Sequence, residues 1–455
     1  MNTFNFEWKP EYRGTWKCPV NGSEIWGTLK IGQSDIMLEL MSKAGQEIEG
    51  YHLEYIIGQI DSLDDNNVLS VKLCNLSLVK KKMSVSGGFN TYKYVAEEVF
   101  VSPDIEALAL PVKAVCFCSD NIGVWSSKYS KDNIKVRDNV RSVSLKYEQP
   151  EPYKCFEDDS LSVELYYSFW RKTPDHQGYS LRTKCFLDVI FKDAEDFYTA
   201  RSKALRISNL FSLITLRPID VGCIIYTTEN ESYIHRNAFR YKNTINIKTP
   251  FTANNFAHCT PEVLQDLISK WCSYYNVYTN SLDAFFEIWN HELLPSEQRF
   301  KGYMSVLDGL TSDISVEYED KLTKKEIIVK QYWPTFKERL KQCVGVSVKD
   351  LHKFDMAING KKKKQDIPLE KRFIELLQIL ESILPRNIDT AFVKKCVRTR
   401  HKLTHPESKY KDVFSPFQYP KAILNLKTIL CAYMLSCIGM KKDLIKQTLR
   451  MYDNT

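Results

Sequence analysis

The stretch "VRTRHKLTH" (397–405) concentrates side chains that can do chemistry. It holds two arginines, one lysine and two histidines in nine positions, and Pro406 follows it. Histidine accepts and donates protons near neutral pH, and the planar guanidinium of arginine binds phosphate or carboxylate through paired hydrogen bonds. These residue types indicate acid–base chemistry on an anionic substrate, a metal site or a basic surface.

Arg400 should lie on the apolar side of the helix that carries this stretch. We expect a helix over about 387–404, ended before Pro406 because a residue preceding proline disfavours helical geometry. On a helical wheel Arg400 falls within about 40° of Cys396, whereas Arg398 falls on the polar side and should be solvated. An unpaired charge on a core-facing stripe is costly. No carboxylate lies three or four residues away, so the partner must come from another helix, a second subunit or an anionic ligand.

Two interpretations of this stretch other than a metal-independent enzyme remain open. His401 and His405 are four residues apart and could bind zinc, although the glutamate of a zinc-protease helix is missing and neighbouring cations oppose a metal ion. Alternatively, the stretch is a basic helix end in which His405 caps backbone carbonyls and Arg400 bridges to the core. A protonated histidine at a helix C-terminus is stabilised by the helix dipole.

The third interpretation is a ribonuclease site. Metal-independent RNA cleavage needs one group to take the 2′-hydroxyl proton, another to protonate the leaving 5′-oxygen, and a fixed cation for the phosphorane charge. Histidine suits the first two tasks and arginine suits the third. One histidine and one arginine per chain are too few for these three tasks. Two copies of the stretch across a symmetric dimer would complete the site.

Composition places these residues in a soluble multi-domain protein. A chain of 455 residues with 44% hydrophobic content should form two or three globular domains. No apolar run reaches the roughly 18–20 residues that span a bilayer, and the N-terminus lacks the order of a secretory signal. Thirteen scattered cysteines fit a reducing compartment. We therefore expect a cytoplasmic protein without membrane segments.

The excess positive charge belongs to the second half of the chain. Residues 251–455 carry 32 Lys and Arg against 24 Asp and Glu, whereas residues 1–250 carry 31 against 32. This asymmetry weakly favours an acidic partner, such as nucleic acid, for the second half.

Two-residue periodicity dominates the first 250 residues and helical periodicity the remainder. One helix should interrupt the strands, within 193–215. We expect an α+β protein with two domains: a β-rich domain over 1–250, as an antiparallel sheet or sandwich, and an all-α bundle over 251–455. The predicted strands lie within 27–40, 68–79, 93–102, 112–119, 161–170, 183–191 and 219–228.

Two helices flank the one that carries the histidines. The first should have Asp366 as its cap and Pro368 in its first turn and should end at Pro385, with apolar residues at three-and-four spacing. The second should begin near Pro420 and end at Gly439, burying one face; Cys437 is among the residues expected on that face.

The sequence "RHKLTH", Arg400 to His405, resembles the arginine–four-residue–histidine motif of HEPN domains, which are helical bundles of RNA-cleaving defence and toxin proteins. That family often has a polar residue directly after the arginine, and His401 matches it. The surrounding stretches 12–31, 368–380 and 412–440 resemble ApeA-type abortive-infection proteins, and the resemblance extends over nearly the whole chain.

The resemblance implies an antiphage endoribonuclease that needs no metal or other cofactor. His405 would act as general acid or base, Arg400 would stabilise the phosphate, and His401 would orient or contact it, whereas Arg398 and Lys402 could bind nucleic acid. The substrate would be RNA, with tRNA expected, and a phage-derived trigger would act on the N-terminal domain. The protein would be a homodimer or a higher even oligomer. The alternatives are a HEPN-like module that binds RNA or a nucleotide without cleaving it, and a scaffold whose β domain docks a partner.

Overall fold

The computed structural model of the protein describes most of both halves. The described residues are 10–32, 35–43, 48, 50–61, 68–83, 88–119, 122–123, 133–135, 144–146, 151–172, 180–219, 224–237, 259–291, 294–314, 324–341, 347, 349, 351–352, 355, 367–385 and 388–450. They fall into two compact units. One lies within Met1–Val277, Trp289–His291 and Leu435–Thr455, and the other within Tyr278–Ile288 and Glu292–Met434.

The first unit is built on β-strands that are rich in β-branched and aromatic residues. One α-helix, α1 (Phe197–Thr215), lies between the strands in the chain, with Asp196 as its N-cap. The strands are β1 (Glu11–Lys17), β2 (Glu24–Ile31), β3 (Ile36–Lys43), β4 (His52–Asp61), β5 (Val68–Lys82), β6 (Phe89–Ser102), β7 (Val112–Cys118), β8 (Asn133–Lys135), β9 (Ser144–Lys146), β10 (Tyr153–Glu157), β11 (Leu161–Lys172), β12 (Ser180–Glu195), β13 (Ile224–Thr227) and β14 (Ser232–Asn237).

Twelve of these strands form one continuous antiparallel sheet in the order β10-β11-β12-β7-β13-β14-β6-β3-β2-β1-β4-β5. Strand β6 also pairs with β5, so the last six strands close on themselves. Alternate side chains of these six strands point inward and form a core that includes Trp16, Leu38 and Tyr94. The antiparallel β-rich domain expected from the sequence is confirmed, but the closure of six of its strands on themselves was not predicted.

Strand β6 can serve both parts of the sheet because it is 14 residues long. Along one edge, residues 89–96 pair with β3 and residues 98–101 pair with β14. The other edge pairs with β5 over almost its full length. The closed part and the open part of the sheet thus share this one strand.

The helices that follow contribute many of the buried apolar side chains. The helices are α2 (Pro261–Val277), α3 (Thr279–Asn290), α4 (Ser296–Leu310), α5 (Lys324–Lys341), α6 (Leu369–Leu380), α7 (Thr390–Thr404), α8 (Tyr419–Cys437) and α9 (Lys442–Arg450). Helix α8 is buried on most of its sides. Among the helices of the second unit, α4 and α6 pack against α7, which carries the arginine–histidine stretch described above. Each described helix is too short or too polar to span a bilayer.

Aromatic rings hold α4, α6 and α7 together. Phe392 of α7 lies with its ring centroid 6.5 Å from that of Phe373 of α6, and 5.8 Å from that of Phe414. Phe414 in turn makes an edge-on contact with Phe300 of α4, at 5.8 Å. Edge-to-face pairs at these distances add to the stability gained from burial alone. This packing fixes the position of α7 within its unit.

The sequence predicted the change from strands to helices along the chain, but it did not predict every strand. Strands β1, β4, β10 and β14 were not among the predicted ones, although each belongs to the sheet. Helix α7 begins at Thr390, three residues later than expected, because Asp389 accepts a hydrogen bond from the backbone N–H of Phe392 and caps it. Cys437, predicted on the buried face of α8, is exposed, whereas the next residue, Ile438, is buried. Helix α6 is shorter than predicted, because Pro368 is its N-cap and the helix ends at Leu380; the predicted cap Asp366 lies outside the described residues.

Candidate active site

Helix α7 presents the motif at its C-terminal end. As predicted, the helix stops at Thr404, and His405 is the C-cap with a non-helical backbone (φ −127°, ψ 84°). The backbone N–H of His405 donates a hydrogen bond of 2.8 Å to the carbonyl of His401. Both imidazoles therefore lie at the C-terminal end of α7.

Arg400 finds its partner on another helix of the same unit. Its side chain is 32% exposed, and Nη2 donates a hydrogen bond of 2.9 Å to Oδ2 of Asp308 in the last turn of α4. This agrees with the wheel, which placed Arg400 beside the buried Cys396. Of the three sources of a partner that the sequence left open, the structure provides another helix.

Asp308 also binds a second arginine. Its other oxygen, Oδ1, accepts a hydrogen bond of 2.5 Å from Nη2 of Arg372, in the first turn of α6. Arg372 is buried and donates further bonds to the backbone carbonyls of Asp308 (2.9 Å) and Ile367 (3.2 Å) and to Oγ1 of Thr311 (3.1 Å). One carboxylate therefore bridges a buried and a half-exposed guanidinium.

The two histidines form a cluster of rings with Tyr410. The ring centroids of His401 and His405 are 4.8 Å apart, and the ring of Tyr410 lies edge-on to His401 at 5.2 Å. Oε1 of Glu407 lies 4.0 Å from Nδ1 of His405, whose side chain is 55% exposed. The imidazoles are therefore accessible to a large substrate.

The segment that follows Pro406 returns along α7. Arg398 donates a hydrogen bond of 2.8 Å to Oδ2 of Asp412, and Oγ1 of Thr399 accepts one of 2.9 Å from the backbone N–H of Phe414. Arg398 is exposed as expected, but it also has a carboxylate partner. Lys402 is half-buried and has no carboxylate partner among the described residues.

The structure thus separates the motif into two faces of one helix end. The guanidinium of Arg400 points toward α4, whereas the imidazoles of His401 and His405 lie together on an exposed face. Arg400 and His405 are five residues apart. On a helix this spacing separates two side chains by about 140° around the axis. Within the described ranges no group of three or more His, Cys, Asp or Glu side chains is placed to hold a metal ion.

Sequence reasoning did not identify Asp308 or Arg372. Both lie far from the motif in the chain, 92 and 28 positions before Arg400. One weak local signal was available, because an acidic residue in the last turn of a helix opposes the helix dipole. Such a residue is more easily retained when a cation is bound to it.

Two family models match the chain. The model described as ApeA N-terminal domain 1 matches residues 11–271, which is more than half of the chain, and the model described as Apea-like HEPN matches residues 302–444. The second match includes the arginine and histidines described above, and the two matches confirm the resemblance inferred from the sequence. No curated protein and no solved structure matches the chain.

Proposed function

The chain belongs to the ApeA family, with a HEPN domain of the nuclease type used in defence, and from this we propose that it is a metal-independent endoribonuclease whose site is built on Arg400 and His405. The observation that carries the proposal is the arrangement at the end of α7. Asp308 holds a charged guanidinium on one face of this helix end, and two exposed imidazoles lie together on the other, inside the segment that matches Apea-like HEPN.

The proposed reaction is an internal transfer at phosphorus. A histidine removes the proton from a ribose 2′-hydroxyl, and the oxygen attacks the adjacent phosphorus. The bond from phosphorus to the 5′-oxygen breaks, and a second protonated group delivers a proton to that oxygen. The products are a 2′,3′-cyclic phosphate and a 5′-hydroxyl, with no water consumed in this step.

We assign His405 to proton transfer and Arg400 to the phosphate. His405 is more than half exposed and so is accessible to the ribose, while Arg400 has N–H groups beyond the one bound by Asp308. His401 contacts the ring of His405 and would orient it or bind the phosphate. Arg398 and Lys402 would contribute charge for RNA binding, although Asp412 competes for Arg398.

A dimer would supply the second proton-transfer group. Each chain has one pair of histidines at this helix end, and both are exposed. Two copies of α7 meeting across a two-fold axis would place both pairs and two guanidiniums around one phosphate. We therefore propose a homodimer, or a higher even oligomer, as the active form.

The biological role that we propose is abortive infection. The HEPN domain would cut RNA, with tRNA the expected substrate, after the N-terminal domain responds to a phage-derived trigger. The β-rich unit and the helical unit match separate family models, which is consistent with a sensing part and a cutting part.

Cleavage should persist when divalent metal is removed. Because histidine and arginine can perform every step, purified protein incubated with total tRNA in excess EDTA should retain at least about half of its activity. Cleavage is measured as the loss of full-length RNA on a denaturing gel. Activity that disappears with EDTA and returns with zinc or magnesium would instead support the metal interpretation of His401 and His405.

A further inference from the structure

We propose that Asp308 is a positioning residue for Arg400, and that Arg372 holds Asp308 in place for this task. The inference rests on the proposed ribonuclease function and concerns residues outside the arginine–histidine motif. Both oxygens of Asp308 are engaged, one by each guanidinium, which defines the orientation of the carboxylate. Arg400 is thereby held at a defined place on the α4 side of the site.

Burial alone does not require the contact between Asp308 and Arg400. A guanidinium that is about one-third exposed can be solvated by water, and ion pairs with this exposure contribute little to stability. Arg372 differs, because its side chain is only 11% exposed and needs its several partners. The bond to Arg400 is therefore better explained by orientation of the guanidinium than by the needs of the fold.

The charge balance leaves Arg400 able to bind a phosphate. The cluster contains two guanidiniums and one carboxylate, so it keeps a net positive charge. Arg372 already offsets the negative charge of Asp308, which prevents Asp308 from neutralising Arg400. Arg400 uses one of five N–H donors on Asp308, and the others can form a bidentate contact with phosphate oxygens.

The placement of Asp308 and Arg372 is unfavourable for each helix taken alone. Asp308 lies in the last turn of α4 and Arg372 in the first turn of α6, where the helix dipoles oppose an anion and a cation respectively. The ion pair between the two side chains offsets both unfavourable dipole interactions. Arg372 also donates a hydrogen bond to the backbone carbonyl of Asp308 at the end of α4. A pair of uncharged residues would have avoided the conflict, which indicates that the carboxylate is needed at this point.

Replacing Asp308 with asparagine should lower kcat by about 10- to 100-fold and leave KM for RNA within about threefold. Asparagine has nearly the same volume and keeps one oxygen acceptor, but it cannot bind both guanidiniums as an anion does. A displaced phosphate-binding group can cost about 100-fold in rate without affecting binding of the rest of the substrate. Asp308→Glu, which keeps the charge, should fall between the wild type and Asp308→Asn.

Asp412→Asn is a matched control. It removes the carboxylate from the other arginine pair of α7, that of Arg398, at 2.8 Å and with both side chains exposed. Its kcat should stay within about twofold of the wild type, and any effect should fall on KM, because Asp412 no longer competes with RNA for Arg398. Thermal denaturation of all variants establishes that the proteins compared are folded.

A double-mutant comparison separates positioning from a purely structural role. In an Arg400→Lys background, which keeps the charge but loses the fork of donors, Asp308→Asn should reduce kcat by less than about threefold. A full 10- to 100-fold reduction in that background would mean that Asp308 does not act through Arg400. The proposal is also overturned if folded Asp308→Asn keeps wild-type kcat, or if its kcat rises, since a rise would make Asp308 a restraint on Arg400.

Failure of this inference and failure of the proposed function give different results. If Arg400→Ala abolishes cleavage while Asp308→Asn does not affect it, only the positioning role is rejected. If Arg400→Ala itself retains wild-type cleavage, the proposed site is rejected together with the inference.

Discussion

Replacing Arg400 with alanine should lower kcat for RNA cleavage by about 1000-fold. In the proposed mechanism this guanidinium is the fixed cation for the charge that develops on the phosphorane, and loss of one such donor costs about 100- to 1000-fold in other enzymes. The measurement is the single-turnover cleavage rate on a defined tRNA or on total tRNA.

The Arg400→Ala protein should remain folded and should still bind RNA. The ion pair between Asp308 and Arg372 persists in it, so no carboxylate is left unpaired. Lys394→Ala, which removes an exposed positive charge from the same helix, is the matched control and should cleave at nearly the wild-type rate. Equal rates for the two variants would show that Arg400 is not part of the reaction.

Replacing His405 with alanine should lower kcat by about 100- to 10,000-fold, which is the range for loss of a general acid or base. The side chain is 55% exposed and caps the helix through its backbone N–H rather than its imidazole. The substitution should therefore change the melting temperature very little. Filter binding or a mobility shift should give an RNA affinity within about threefold of the wild type.

His52→Ala provides the comparison for His405→Ala, since it removes an exposed imidazole from β4 of the first unit. It should leave cleavage unchanged. If His405→Ala retains more than about a tenth of the wild-type kcat, the proton-transfer role must belong to another group. His401 would be the first to test, because its ring lies 4.8 Å from that of His405.

The sequence was sufficient to place Arg400 on the apolar side of its helix, because that position depends only on local geometry. Helical periodicity relates Arg400 to Cys396 without any knowledge of the remaining chain, and Pro406 marks the end of the helix. The same argument showed that no carboxylate of α7 could be the partner. What lies within one helix is therefore accessible to reasoning from periodicity and from breaker residues.

The partners of the motif could not be derived, since they depend on how helices pack. Asp308 reaches Arg400 across 92 positions of the chain, and Asp412 reaches Arg398 only because the segment after Pro406 folds back along α7. Periodicity gives the face of each helix but not which helix covers it. The identity of Asp308 as a shared partner is a property of the packed unit.

The sheet shows the same limit. The alternation in β5 and β6 is long and regular, so both strands were found, but the pairing of β6 with three neighbours is a matter of register between distant segments. Strand β1 contains Gly14, where the backbone carbonyl of Gln59 in β4 approaches closely, and glycine weakens the local strand signal. A strand that contains glycine for close contact with a neighbouring backbone is therefore hard to predict from its own sequence alone.

The most direct test of the central claim is the chemistry of the RNA ends. Wild-type protein and the Arg400→Ala variant are incubated with tRNA in EDTA, and the fragments are sequenced after treatments that distinguish their termini. Internal attack by the 2′-hydroxyl predicts 2′,3′-cyclic phosphate and 5′-hydroxyl ends in the wild-type reaction, and about 1000-fold slower formation of the same fragments with the variant. Fragments with 3′-hydroxyl and 5′-phosphate ends would contradict the account, because they require attack by water.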